Sequence, residues 1–278
     1  MLEKYKRQVV RKPEKLVVEG EAGAGKTTFA CASHTKKEQI FVFNADDGGE
    51  NVFHKTGIDL IHDCIPTGDV KENAEKWDQM MATLRELAGQ KSGIKRIVID
   101  SVDKVEILAQ AKTCSLHKIA HIEDMGYGKG YSYSRGEMAK LLSGLNYLRD
   151  TQSIQPILVC HTQVRTINKP TMEPYDSFVL KLHRSLCGDI MEWADVILFV
   201  AFETVVKKID SGFNRKDSRA IQSGKRFLYT SGSMGVDAKN RFDLPAEISA
   251  DWNEYQKLIN NFWDGSSTNE VIDKQTKG

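Results

Sequence analysis

Gly20-Glu21-Ala22-Gly23-Ala24-Gly25-Lys26-Thr27 governs how the rest of the chain is read. It fills every fixed position of the phosphate-binding loop pattern G-x-x-x-x-G-K-[ST]. Leu16-Val17-Val18 before it reads as a short buried strand, and Thr28-Phe29-Ala30-Cys31-Ala32 after it as the first turns of a helix. The motif needs that strand–loop–helix context. Its glycines let the backbone turn tightly and point consecutive N–H groups inward, and the helix N-terminus adds partial positive charge. Gly20, Gly23, Ala24, Gly25, Lys26, Thr27 and Thr28 are therefore the predicted phosphate-binding residues. Lys26 is expected to reach the β- and γ-phosphates of ATP and the Thr27 hydroxyl to bind Mg²⁺. The alternative is a chance Gly-rich turn, but ordinary residue usage makes a full match with both flanks in place rare.

The 278 residues suffice for one large α/β domain, or one with a small appendage. A hydrophobic share of 40% and a charged share of 28% are those of an ordinary globule. No apolar run reaches membrane-spanning length, and no apolar segment follows the charged N-terminus as in a secretory signal. Cys31, Cys64, Cys114, Cys160 and Cys187 are odd in number, far apart and never C-x-x-C, which points to reduced thiols and a cytoplasmic setting. The formal net charge of +1 sets up no global field for nucleic acid, so any such binding must use local patches.

Three segments follow from composition: a basic leader over residues 1–13, an ATPase domain over 14–264 and a disordered polar tail over 265–278. Ile40-Phe41-Val42-Phe43 reads as a second strand that ends in the acidic turn Asn44-Ala45-Asp46-Asp47-Gly48-Gly49-Glu50. Residues 51–70 read as irregular. Lys71 to Leu87 reads as a helix whose stripe of Trp77, Met80, Met81, Leu84 and Leu87 is core. Arg96-Ile97-Val98-Ile99 is a third strand ending in Asp100, 74 residues after Lys26. An Asp at that strand tip holds the Mg²⁺ shell in phosphate-loop ATPases; its alternative is a helix cap.

Val102 to Ala120 reads as helical, with His117 and His121 one turn apart. Lys118 stands where a zinc protease needs Glu, so both read as surface or satisfied histidines. The stretch from Met125 to Gly136 mixes four glycines, three tyrosines, a Lys and an Arg. Its composition argues against a regular helix or a central strand. Mobile backbone, rings and cations suit contact with single-stranded nucleic acid, but the stretch reads equally as a Gly-rich connector. Glu137 to Arg149 is a predicted helix, and Ile157 to Cys160 a fourth strand with the polar tip His161-Thr162-Gln163. Arg165 to Asp176 is expected to be a loop, Leu186 to Ala194 a short helix and Val196 to Val206 a fifth strand. Residues 207–226, with seven Lys or Arg, read as a basic hairpin, an arm or a solvated loop. Phe227 to Thr230 is a sixth strand and Asp251 to Trp263 a final helix.

In order and spacing, the loop, Asn44-Ala45-Asp46, Asp100-Ser101, His161-Thr162-Gln163 and Lys239-Asn240-Arg241 resemble the RecA-like ATPases. The Tyr-Gly-Lys-Gly-Tyr and Ala-Lys-Asn-Arg-Phe stretches look most like phage-encoded, core-only nucleotide-binding proteins that act as single-strand annealing recombinases. The resemblance runs from about residue 14 to 255. It implies an α/β fold, a mostly parallel twisted sheet with helices on both faces and ATP with Mg²⁺ at the carboxyl ends of the strands. It also implies catalytic roles for Lys26, Asp46, Asp100 and His161, with Thr27 and Asp100 on Mg²⁺. Most relatives carry Glu where Asp46 stands, which leaves Asp47 and Glu50 as alternatives; Gln163 is the alternative to His161. Lys239 and Arg241 match the spacing of a Lys-x-Arg pair that reaches into a neighbour's site.

Tyr127, Lys129, Tyr131 and Arg135, with Arg165 and Lys169 after the fourth strand, are the candidate DNA contacts. The implied partners are single-stranded DNA, a homo-oligomer in a ring or filament, and a single-strand-binding protein; the implied place is the host cytoplasm. Three other functions share these features. They are a ring helicase or translocase, a small-molecule kinase with Arg215, Lys216 and Arg219 imitating a lid, and a non-hydrolysing nucleotide switch.

Overall fold

Each of the central strands buries both of its faces, and the alternation of side chains sorts the core into two layers. In the computed structural model of the chain, residues 10–32, 39–210 and 216–265 are described, with residues 204–210 and 216–223 described by their backbone. Strand β1 (Leu16–Gly20) lies between β5 (Gln155–Ile167) and β7 (Val196–Asp210), parallel to both. β2 (Ile40–Asn44), β3 (Ile61–Asp63) and β4 (Arg96–Asp100) continue the parallel set, and β8 (Lys216–Tyr229) and β9 (Glu247–Ser249) add antiparallel strands. The order is β3-β2-β4-β5-β1-β7-β8-β9, with β6 (Tyr175–Leu180) antiparallel to the far end of β5.

On one face, Val17, Phe43, Ile97, Ile99 and Leu158 pack under four helices: α3 (Val70–Gly89), α4 (Val102–His117), α5 (Lys129–Gln152) and α6 (Arg184–Trp193). Trp77, Leu108, Met138 and Ile190 are among the side chains those helices contribute. On the other face, Leu16, Val18, Val42, Val98 and Val159 pack under α1 (Lys26–Cys31) and α7 (Trp252–Trp263) through Phe29, Trp252, Tyr255 and Ile259. Continuous β-branched runs are what a parallel strand covered on both sides requires. This is the α/β fold expected, and the predicted stripe on α3 is buried throughout.

Four local expectations need correction. Residues 51–70 are not irregular throughout: Glu50–Thr56 form α2, closed by Gly57, and β3 follows. The glycine-rich stretch is helical from Lys129 onward. Its buried stripe of Met138, Leu141, Leu142, Leu145 and Leu148 continues backwards as Ser134 and Gly130, small residues at the same helical spacing. Gly130 is set so close to the Ile122–Met125 turn that a Cβ would stand 2.2 Å from the Ile122 carbonyl oxygen. A close contact that only glycine permits outweighs the roughly 1 kcal/mol that glycine costs a helix.

Arg165–Asp176 is not wholly a loop. β5 runs on to Ile167 and pairs with β6 from Tyr175, so Arg165 and Thr166 are strand residues. His117 and His121 are not on one helix: Lys118 takes a left-handed φ of 56° and ends α4, and His121 caps the next turn. The 207–226 segment is a hairpin in its backbone, Asp210 facing Lys216, while residues 211–215 lie outside the described residues. Residues 1–9 of the leader and 266–278 of the tail lie outside them too. Among the described residues no helix is long and apolar enough to cross a membrane.

Candidate active site

Parallel strands end on one edge of the sheet, and there the chain collects its chemistry. β1 turns at Gly20 into the phosphate loop, and α1 opens with Lys26. Gly25 adopts φ 100°, a left-handed conformation that strains other residues, to swing the chain into the helix. Lys26 is 5% exposed, and its Nζ donates to the carbonyls of Gly20 at 3.0 Å and Glu21 at 2.8 Å. Burial lowers its pKa, and the Asp100 carboxylate leads the opposing attraction.

Neighbouring strand tips are tied together. The N–H groups of Ala45 and Asp46, just past β2, both donate to the Asp100 carbonyl at the end of β4. Asp100 itself is buried. Burial raises its carboxyl to about 6, against a hydrogen bond from Thr27 that lowers it.

Midway along β5, where its parallel pairing with β1 ends, His161 stands between two carboxylates. Its Nδ1 lies 3.2 Å from Asp103 Oδ2 and its Nε2 3.5 Å from Asp46 Oδ2. The His161 backbone N–H donates to the same Asp103, at 3.1 Å. Burial works to raise the Asp103 carboxyl, but hydrogen bonds from His161 outweigh it and hold the group below its ordinary value. Beneath the loop, Glu19 is fully buried with neither carboxylate oxygen hydrogen-bonded among the described residues. Burial pushes its carboxyl well above the usual range, and the nearby Lys26 works against that.

Lys26, Thr27, Thr28, Asp46, Asp100 and His161 together line one cavity of about 440 Å³, with Gly23 and Gly25 of the loop. Among the described residues no group of three or more His, Cys, Asp or Glu is arranged as a metal site of its own. Mg²⁺ does not need one: it takes one or two protein oxygens and completes its shell with phosphate oxygens and water. Thr27 and Asp100, which both line the cavity, could hold it as such a pair.

A family model described as an AAA domain matches residues 12–242. The chain belongs to that AAA domain family. It is a P-loop ATPase-type family, as the loop and the fold lead one to expect. Compared with curated proteins, the chain matches none.

Other predicted residues of this AAA domain lie away from the cavity. Of the alternatives to Asp46, Asp47 and Glu50 are exposed and Asp46 lines the cavity. Gln163 points its amide at the Leu180 carbonyl, 3.2 Å away. Three candidate DNA contacts gather around α6. Tyr131 stacks on His183, ring centroids 4.2 Å apart, and donates its hydroxyl to Glu123. Arg135 forks onto Asp189, and Arg165 donates to the Leu182 carbonyl at 2.7 Å. Tyr127 and Lys129 are exposed, and Lys169 lies 5.5 Å from the Tyr175 ring centre at the far end of the β5–β6 hairpin.

Lys239 and Arg241 sit at the opposite edge of the sheet from the loop. Lys239 pairs with Ile197 near the start of β7, and its Nζ donates to the carbonyls of Met191 and Ala194. Arg241 pairs with Asp195 at 2.9 Å.

Two residues were missed from sequence. Asp103 is in the first turn of α4, where an acidic residue ordinarily just favours a helix start; its contact with His161 crosses 58 positions. Arg226 lines the cavity from β8, although in sequence it is one of seven cations in the 207–226 segment.

Proposed function

We propose that this AAA domain hydrolyses ATP and couples hydrolysis to single-stranded DNA, promoting annealing or strand pairing in phage recombination. It would act in the host cytoplasm as a head-to-tail homo-oligomer. The observation that carries the coupling is β5. The strand bears His161 at the cavity and continues without a break to Arg165 and the hairpin with β6. A contact at the γ-phosphate is thereby one strand away from the surface that Tyr131, Arg135 and Arg165 share around α6.

Hydrolysis breaks the bond between the γ-phosphorus and the oxygen bridging it to the β-phosphate. A water attacks in line, giving ADP and inorganic phosphate. Lys26 and the loop N–H groups hold the phosphate oxygens and offset the charge that develops on them. Asp46 orients the water and accepts its hydrogen. His161, steadied by Asp103 on one nitrogen, keeps Asp46 in place with the other and senses loss of the γ-phosphate. Bound Mg²⁺, held at Thr27 and Asp100, supplies further neutralisation of phosphate charge.

The deciding measurement is the ATPase rate with and without single-stranded DNA, run beside an annealing assay on complementary oligonucleotides. Stimulation by DNA together with faster annealing is the expected result. Stimulation by nucleoside monophosphates in place of DNA would assign a small-molecule kinase, and duplex unwinding a helicase.

A further inference from the structure

Beside the phosphate cavity lies a second, smaller one of about 250 Å³. The two share Gly25, Thr28 and Arg226. Phe29 of α1 and Ala32, which caps that helix, form one wall of the smaller groove, and Ala250, Trp252 and Asn253 the other. The arrangement has a direction. Asp46, Asp100 and His161 mark the end of the large cavity where the terminal phosphate belongs, and none of them touches the groove. The groove opens at Thr28, one residue beyond the Thr27 hydroxyl. A nucleotide gripped by its phosphates must lead its sugar and base out past that point.

Arg226 stands at the junction. Its guanidinium lies 4.9 Å from the centre of the Phe202 ring on the paired strand, which holds the plane of the group. It also rests directly on the loop: a Cβ on Gly25 would come within 3.1 Å of its Nε. The side chain is exposed, and no carboxylate among the described residues is paired with it. A flat cation can stack on a base and donate to a phosphate oxygen at once. The Asp251 carboxylate caps α7, its Oδ1 accepting from the N–H groups of Asn253 and Glu254. The exposed Asn253 amide remains as a donor and acceptor for a base edge.

We propose that this groove takes the ribose and base of the nucleotide, and that Arg226 is a contact from the same chain that closes over the join between nucleoside and phosphates. The proposal rests on nucleotide binding at the loop, so its test separates the two. Binding of Mg²⁺–ATP and of Mg²⁺–tripolyphosphate, which has no nucleoside, is measured by calorimetry on the full chain and on three variants. Lys26→Ala should weaken both ligands. Ala32→Phe, which fills the groove, should weaken ATP by about tenfold or more and leave tripolyphosphate unchanged; that retained binding also shows the variant is folded. Arg226→Ala should weaken ATP more than tripolyphosphate. If both ligands bind the unaltered protein but Ala32→Phe and Arg226→Ala spare ATP, or reduce the two ligands equally, the nucleoside lies elsewhere. If Lys26→Ala alters neither ligand, it is the phosphate-loop assignment that fails.

Discussion

His161 is gripped from both sides, by Asp103 through Nδ1 and the backbone N–H and by Asp46 through Nε2. Such a chain couples Asp46, the residue proposed to orient water, to the strand that leaves the site. Removing the basic oxygen of Asp46 without changing its size should therefore stop hydrolysis and spare binding. For Asp46→Asn we expect kcat to fall by about 10²–10⁴-fold with ATP affinity kept. Asp103→Asn should give an intermediate loss, because the histidine keeps a partner but loses a charged one. Steady-state kinetics with ligand titration check both; normal turnover in Asp46→Asn beside a dead Asp47→Asn or Glu50→Gln would move the role. Lys26 is a different case. Its Nζ is held by two loop carbonyls, so Lys26→Ala loses loop contacts as well as the cation on the phosphates. Turnover should drop by about 10²–10³-fold in a protein whose circular dichroism spectrum is unchanged.

At the scale of elements, α1 is six residues long, too short to be stable alone. Its carboxyl end is closed by Arg96 from β4, which donates to the Ala30 carbonyl at 3.0 Å and the Ala32 carbonyl at 2.7 Å. The same guanidinium lies 3.8 Å from the Trp252 ring centre, so one buried cation joins the loop helix, the sheet and α7. Arg96→Ala leaves those carbonyls unsatisfied, and each costs about 1–3 kcal/mol. Urea unfolding should show that loss. Gly130→Ala tests the other unexpected element: a methyl 2.2 Å from the Ile122 oxygen must push the start of α5 off its turn. We expect a loss of about 1–3 kcal/mol, whereas Gly136→Ala, with open space around its Cβ position, should be neutral or stabilising. Equal effects at the two sites would show that the contact at Gly130 is not what selects glycine.

For the whole molecule the open matter is assembly. Arg241 lies at the amino end of β7, across the sheet from its own phosphate loop. Action on a nucleotide would have to be on a neighbour's, through a head-to-tail interface that yields a ring or a filament. Lys239 is committed to two carbonyls of its own chain, so Arg241 is the better probe. Lys26→Ala subunits have a dead site and an intact Arg241; Arg241→Ala subunits have the reverse. Each should be inactive alone, and mixing them should restore part of the ATPase. Full activity in Arg241→Ala, or a silent mixture of variants that demonstrably co-assemble, would falsify the role in trans.

Local signals in the chain were enough for the phosphate loop, the strand-end carboxylates and a sheet covered on both faces. Each of these depends on neighbours in sequence: glycines that set the turn, a buried run that ends in Asp, an apolar stripe at helical spacing. The same locality explains the helices α3, α6 and α7. Tertiary structure alone decided the rest. Gly130 is small because the Ile122–Met125 turn leaves no room for a Cβ there, a fact about a neighbouring element, and the stretch is helical because Gly130 and Ser134 continue the buried face of α5. Asp103 becomes the partner of His161 because β4 and β5 are adjacent in the sheet. Arg226 reaches Gly25, 201 positions earlier, because β7 lies beside β1 and carries β8 with it. Contacts made across a sheet depend on strand order, and no stretch of the chain read alone encodes that order.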